Sequence, residues 1–411
     1  MIQSITEEDS IELIQSLEYL IDDFIENNIN HLSNYKFDEC IYNYLYDILY
    51  EQLVLVYDNR LNRIIHLHIS QSLNIYYKHV MPRRSYSKTF ITKPTNTQQL
   101  TKQLNYIRNI PQPDQRTELW HRFRYNMITA SNAYKAYGSQ SKQNELICEK
   151  CKPLNLDYVK SKYTETPFHW GTKYEPVSVL YYEYLYETKI EDFGCIPHPK
   201  YPYIGASPDG INVDSNSGLY GRMLEIKNPT TRVISGIPKE EYWIQMQLQM
   251  EVCGLNHCDF LETKFAEYES KDAFYEDGDF YKTEQGNFKG IILHFIVNDD
   301  NYYEYAPFQC SPEEFSIWEE HIMKKHENDT WLKHIYWRLD FVSCILVTRN
   351  EKWFQHTQHH LENIWKIIEE ERVSGKWTER KAKYTPRKRT NSMGSEENKP
   401  IGKLLIDMSD I

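Results

Sequence analysis

The chain has 411 residues, 40% of them hydrophobic and 14% aromatic, with 47 Lys and Arg against 59 Asp and Glu for a net charge of −12. That supplies enough apolar side chains to bury the cores of two or three ordinary domains, and no apolar run approaches the roughly 20 residues that span a bilayer. A membrane-spanning class and, from the acidic leader MIQSITEEDS, a secreted one are set aside, and eight Cys without regular spacing suit a reducing compartment.

The charge is segregated along the chain. Residues 1–60 hold thirteen acids and two bases, whereas residues 61–116 hold nine bases and one acid. Residues 372–390 again hold eight bases and one acid. A net negative average therefore does not exclude a polyanionic partner, because phosphates are neutralised by local clusters of Lys and Arg.

Ile11, Ile14, Leu17, Ile21 and Phe24 recur at helical spacing behind Thr6 and Asp9, which form a capping pair. A second helix is expected from Asp38 to Tyr57 and a third from Leu61 to His79, so residues 1–80 read as a helical module. Residues 81–116 are polar, basic and closed by Pro111 and Pro113, and read as a linker, either solvated or lying along a phosphate backbone.

From 117 to 345 helical and strand patterns alternate. Gly171–Glu187 reads as a helix; Ile190–Pro197, Tyr203–Ala206 and Gly221–Lys227 as strands; Lys239–Cys253 as a helix; Asp259–Phe265, Gly290–Val297 and Tyr302–Pro307 as strands. Ser311–Lys333 and Trp353–Arg372 read as helices, the second within a C-terminal segment, 346–390, whose end is basic. Residues 391–411 are poor in apolar side chains until the short patch IGKLLIDM and read as a disordered tail.

Several polar groups stand where an α/β core does not want them. Asp209 closes a strand in SPDG, and Glu225 and Lys227 share one face of an otherwise apolar strand because residues two apart point the same way. Two carboxylates with an ammonium beside them make a hard-oxygen site for Mg²⁺, completed by the carbonyl of Ile226. Glu175 supplies a third carboxylate from an upstream helix, and Gln245 in the following helix can hydrogen-bond a water or a scissile phosphate. Lys227 can orient the attacking water or, with its pKa lowered, help deprotonate it.

A turn Asp with a Glu-x-Lys strand is common in proteins of every kind, and specificity comes from the ordered series. It comprises W-x-x-x-R-x-x-x-I-T-A-S (Trp120, Arg124, Ile128 to Ser131), W-G-x-x-x-E (Trp170, Gly171, Glu175), S-P-D-G (Ser207 to Gly210), E-I-K-x-P (Glu225 to Pro229) and Y-x-x-Q-x-Q (Tyr242, Gln245, Gln247). Over Thr117–Phe265 this resembles the PD-(D/E)xK nucleases of the lambda-exonuclease type, the YqaJ-like viral recombinase family.

The resemblance implies an α/β restriction-endonuclease-like core, a central mixed sheet flanked by helices. It also implies Asp209, Glu225 and Ile226 as ligands of Mg²⁺, with Mn²⁺ able to replace it, Glu175 as a further acidic ligand, Lys227 as the catalytic lysine and Gln245 in support. Arg124, Ser131 and Arg232 would bind a DNA 5′-phosphate, with Ser131 expected to cap a helix. The activity implied is 5′→3′ digestion of double-stranded DNA ends in recombination, repair or replication, with a single-strand annealing protein and a homo-oligomer among the partners. A composition rich in Tyr, Ile, Asn and Lys suits an AT-rich genome such as that of a large DNA virus, with the host cytoplasm or nucleus as the expected compartment. An endonuclease or RNA-degrading enzyme of the same fold, and a non-catalytic nucleic-acid-binding scaffold, are the alternatives.

Other motifs read as structural. Cys148-x-x-Cys151 has no clustered partner cysteines, and His66-x-His68 and His359-His360 lack ligands at metal spacing. Tyr181, Tyr182, Tyr184 and Tyr186 mark a helix laid on the sheet.

Overall fold

The computed structural model describes residues 6–54, 61–92, 94, 96–154 and 167–382. Thr6 caps helix α1 (Glu7–Asn28): its hydroxyl accepts from the Asp9 amide and the Asp9 carboxylate accepts from the Thr6 amide, both at 3.1 Å. Helices α2 (Phe37–Leu53) and α3 (Leu61–His79) complete the helical module. Leu17, Ile21 and Ile25, Ile41, Leu45 and Leu49, and Ile65, Ile69 and Leu73 meet in its core. His68 belongs to this packing, bonded to Ser10 at 2.7 Å.

The stretch 81–116 is not a free connector. It contains helix α4 (Thr97–Asn109), and the chain before that helix is stitched to the core. Arg84, 2% exposed, donates to the carbonyls of Ser33 and Pro238, while the Tyr86 and Thr89 amides donate to Leu346 and Cys344. Thr89 and a buried Arg222 meet the carboxylate of Asp259, to which Tyr182 also donates. Much of the basic charge here is committed internally, since Arg108 pairs with Glu191 and Arg116 with Glu175.

Beyond it lie α5 (Glu118–Tyr125), β1 (Ile128–Thr129), α6 (Ala130–Tyr137), α7 (Gln140–Cys151) and α8 (Pro167–Tyr186). The strand region read as Ile190–Pro197 divides into β2 (Ile190–Glu191) and β3 (Ile196–Pro197), which enter different sheets. Strands β4 (Ile204–Ala206), β5 (Gly210–Asn212) and β6 (Met223–Lys227) follow, then helix α9 (Glu240–Cys253), β7 (His257–Glu267), α10 (Lys271–Glu276), β8 (Lys289–Val297) and β9 (Asp300–Tyr305). Helix α11 (Pro312–Lys325), β10 (Thr330–Thr348), α12 (Glu351–Ser374) and α13 (Trp377–Ala382) complete the described chain.

The main sheet has seven strands in the order β2-β5-β6-β7-β10-β8-β9, and β1-β4-β3 form a small second sheet. Within the main sheet β6 and β7 are parallel, which requires a crossover, and α9 supplies it. Alternate residues of β6 face opposite layers. Leu224 and Ile226 pack with Tyr182 of α8, and Met223 packs in the cluster that holds Trp243 and Met246 of α9. The fold is therefore a central mixed sheet between helices, with a helical N-terminus, as the family resemblance implies.

The expectation of a helix to Lys333 fails at its end. Helix α11 stops at Lys325, and residues 330–348 form one 19-residue strand that pairs with β8 through its first half and with β7 through its second. Aromatic and β-branched side chains, among them Trp331, Ile335, Tyr336, Trp337, Val342 and Ile345, favour the pleated form over helix there. The tail read as disordered and residues 383–389 of the basic run Lys381–Arg389, read as a nuclear-targeting signal, a DNA-contacting tail or a solvated extension, lie outside the described residues.

Candidate active site

The site is set by strand register. Gly210 of β5 pairs with Leu224 of β6, and Ile211 with Met223, so one step further Asp209 stands opposite Glu225 on the same face. Gly210 permits the turn to approach β2, because a Cβ there would meet the Ile190 side chain at 2.2 Å. The Asp209 carboxylate accepts from the Ile226 amide at 2.7 Å, which locks the SPDG turn to β6. Burial, with Glu225 and Glu175 nearby, holds the Asp209 carboxyl well above the usual carboxylate range.

Glu225 is 0% exposed and its two oxygens have different partners. One accepts from the Lys227 ammonium; the other accepts from Gln249 Nε2 at 2.7 Å. Burial opposes the charge on Lys227, but Glu225 and Asp209 outweigh it and hold the ammonium above its ordinary value. Lys227 is thus held as a cation by the two carboxylates beside it, which favours the water-orienting role of the two given to it.

Gln249 is the residue that sequence reasoning missed. Helix α9 is buried nearly all round, so each of its glutamines must find a partner. Gln247 bonds Thr348 and Asn350, and Gln249 bonds Glu225. Gln245, the glutamine expected to support the site, lies one turn before Gln249 on the same helical face and is 8% exposed. The i, i+4 spacing of Gln245 and Gln249 was the available signal.

Glu175 of α8 is held by Arg116, whose guanidinium reaches both carboxylate oxygens at 3.0 and 3.1 Å. Burial still raises the Glu175 carboxyl, and Arg116 opposes that rise. Arg116 adopts a left-handed backbone (φ 66°) in a turn without motif character, and nothing in the sequence marks it. Among the described residues, no three His, Cys, Asp or Glu side chains are grouped to hold a metal ion as they stand. The hard oxygens brought together are those of Asp209 and Glu225 on neighbouring strands, while Glu175 is engaged by Arg116.

The W…R…TAS motif assembles beside the SPDG turn. Arg124 at the end of α5 stacks over Trp120, with 4.1 Å to the ring centroid, and donates to Ser131 at 3.0 Å. Its other bonds, to Ser207 and Thr129, are 3.4 Å long. Trp120 Nε1 donates to the same Ser207 hydroxyl at 3.2 Å, so one serine joins this pocket to the loop that carries Asp209. Burial lowers the Arg124 guanidinium from its usual value. Ser131 is not the helix cap: Thr129 occupies that position and its amide donates to Asn132 at 3.0 Å, leaving Ser131 exposed at the mouth of α6. Arg232 sits elsewhere, paired with Glu262, which lies beside Lys227 in the parallel register of β6 and β7. Arg232 and Lys227 both approach the ring of Tyr242, at 5.6 and 5.3 Å.

The β5–β6 hairpin thus presents a carboxylate pair with an adjacent lysine, backed by a crossover helix. Residues 119–256, about a third of the chain, match the YqaJ-like viral recombinase domain. The uncharacterized protein R354 of Acanthamoeba polyphaga mimivirus is 29% identical over 332 residues, covering 72% of this chain and 58% of that protein. The chain thus spans a little over half the length of this viral relative. Among solved structures, an alkaline exonuclease (LHK-Exo) from Laribacter hongkongensis aligns at 18% identity and a TM-score of 0.38, covering 65% of this chain and all of that one. Its complex with dAMP aligns at 20% identity and 0.37, with the same coverage.

Proposed function

We propose that this chain is a Mg²⁺-dependent DNA exonuclease that hydrolyses double-stranded ends in the 5′→3′ direction. The observation that carries the reading is the opposition of Asp209 and Glu225 across β5 and β6 with Lys227 on the same face. The recombinase domain match supports a role in DNA recombination or repair, where resected 3′ strands pass to an annealing protein. Among the described residues no helix is long and apolar enough to cross a membrane.

Asp209, Glu225 and the Ile226 carbonyl would hold the divalent ion, which supplies charge neutralisation at the phosphate and a more acidic bound water. The chain's own residues do the rest. Lys227, kept protonated, orients the nucleophilic water and offsets negative charge as the phosphorane forms. Gln249 fixes the rotamer of Glu225, and Gln245 projects from the same helical face. Arg124 and Ser131 take the terminal phosphate, so the scissile bond is presented at a set distance from the end. Arg232 lies on the Lys227 side, where it contacts the strand rather than its terminus.

The test is degradation of end-labelled linear duplex with Mg²⁺ by the wild type and by Glu225→Ala. Loss of mononucleotide release in the variant is expected. Closed circular DNA cut as fast as linear would make the enzyme an endonuclease, and faster cutting of RNA would make it an RNA-degrading one. Wild-type protein that binds duplex but releases nothing would mark a scaffold.

A further inference from the structure

Helix α5 carries Arg124 one residue from its C-terminal end, and that end is held by cations from two other helices. Lys150 of α7, 5% exposed, donates to the Arg124 carbonyl at 2.9 Å. Arg372 of α12 donates through one nitrogen to the Tyr125 carbonyl at 2.7 Å and through another to the Lys150 carbonyl at 2.8 Å. One guanidinium thus bridges the carbonyl ends of α5 and α7, where free acceptors and the helix dipole both favour positive charge. The Arg372 guanidinium also lies over the Tyr125 ring, 4.3 Å from its centroid. Among the described residues the acid paired with Lys150 is Glu149 at 3.9 Å, and it is committed to Lys135 and Asn132, each at 2.9 Å.

The Arg124 side chain is loosely fixed by its own bonds. Two of three are 3.4 Å long, near the limit for a useful hydrogen bond, so its direction is set by the α5 backbone and the Trp120 ring. Whatever anchors the end of α5 therefore sets where the guanidinium points. Lys150 lies within residues 119–256 and Arg372 far beyond them, so the Arg372 half of this anchor is contributed by the C-terminal helix and not by the matched segment.

We propose that Arg372, together with Lys150, is a positioning residue for recognition of the 5′-phosphate: it holds the end of α5 so that Arg124 meets the terminal phosphate squarely. The proposal rests on the reading of Arg124 as the terminal-phosphate ligand. It gives helix α12 a part in choosing the substrate end, and it places one of the two determinants, Arg372, outside the matched residues.

The experiment measures kcat/KM on linear duplexes that differ only in a 5′-phosphoryl or 5′-hydroxyl end, with Mg²⁺ and full-length protein. The readout is the ratio of the two, which a general loss of stability does not move. Arg372→Gln and Lys150→Met should each lower the ratio roughly tenfold, the size expected for losing one charge-assisted anchoring bond. Arg372→Lys should restore part of it, and Arg380→Gln, which removes a neighbouring ion pair to Glu371, should leave it unchanged. Circular dichroism and melting establish that each variant is folded, and Lys150→Met, which keeps the apolar stem, carries the test if Arg372→Gln is not. Folded Arg372→Gln and Lys150→Met with the wild-type ratio would overturn the proposal. Arg124→Ala separates the two levels: a ratio unchanged in Arg124→Ala refutes the terminal-phosphate reading, whereas collapse in Arg124→Ala alone refutes only the positioning role.

Discussion

Replacing Gln249 with Leu tests how the buried Glu225 is held. Both side chains are 0% exposed, and the bond between them is 2.7 Å. Losing a hydrogen bond to a buried charged group costs about 1.5–3 kcal/mol. Against this, Gln249 Oε1 is buried without a partner, and removing it relieves about 1–3 kcal/mol of desolvation. The net change in stability is therefore small, within about 1 kcal/mol, and Tm moves by only a few degrees. The effect on ion binding is larger, because Glu225 is left with Lys227 alone and turns toward it. Groups that orient a metal-binding side chain are worth about 10–100-fold in affinity, so the Mg²⁺ midpoint for activity should rise by that factor while the rate at saturating Mg²⁺ recovers. Initial rates on linear duplex across a Mg²⁺ titration measure this. A folded Gln249→Leu enzyme with an unchanged midpoint would falsify the role given to Gln249.

Lys227→Ala should lower kcat by at least about 10²-fold, the usual value of one fixed group facing transition-state charge, and a rate within a few-fold of wild type would contradict its assignment. Arg84→Ala leaves the Ser33 and Pro238 carbonyls without a buried donor and should cost about 2–4 kcal/mol, read as a lower Tm and as easier proteolytic release of the helical module. Burial opposes the charge on His326, yet bonds to Glu304 at 3.0 Å and Asp329 at 2.7 Å outweigh it and raise its pKa above 6.5. The folded state then holds that proton more tightly, so the stabilisation is complete below the unfolded value and is lost as pH climbs through the raised one. Wild-type Tm should accordingly fall more steeply than that of His326→Gln above about pH 6.5, and parallel slopes would refute the linkage.

The legible parts of the fold were those with strong periodicity or a local chemical mark. Helices α1 and α3, the α9 crossover and strand β6 follow from apolar spacing and caps, and SPDG with EIK marks the hairpin that brings Asp209 and Glu225 together. Strand β10 was not legible because its long run of aromatic and β-branched residues lacks clean alternation, and its value lies in pairing two partners far away in sequence. The same holds for the supporting residues. Gln249 was marked only by its i, i+4 spacing from Gln245 and Ser207 only by its place in SPDG, while Arg116 meets Glu175 across 59 residues and gives no sign of what it will face. Within the two basic segments, Arg84, Arg108, Arg116, Arg372 and Arg380 are committed to bonds within the protein. Formal charge counted along a chain does not report which cations remain for a phosphate backbone.

The most direct measurement of the central claim is an anomalous difference map from crystals grown with Mn²⁺ and a short 5′-phosphorylated duplex. The account predicts a peak between Asp209, Glu225 and the Ile226 carbonyl, with the terminal phosphate against Arg124 and Ser131. Manganese bound elsewhere, or a bound duplex with its end remote from Arg124 and no peak at the β5–β6 hairpin, would contradict it.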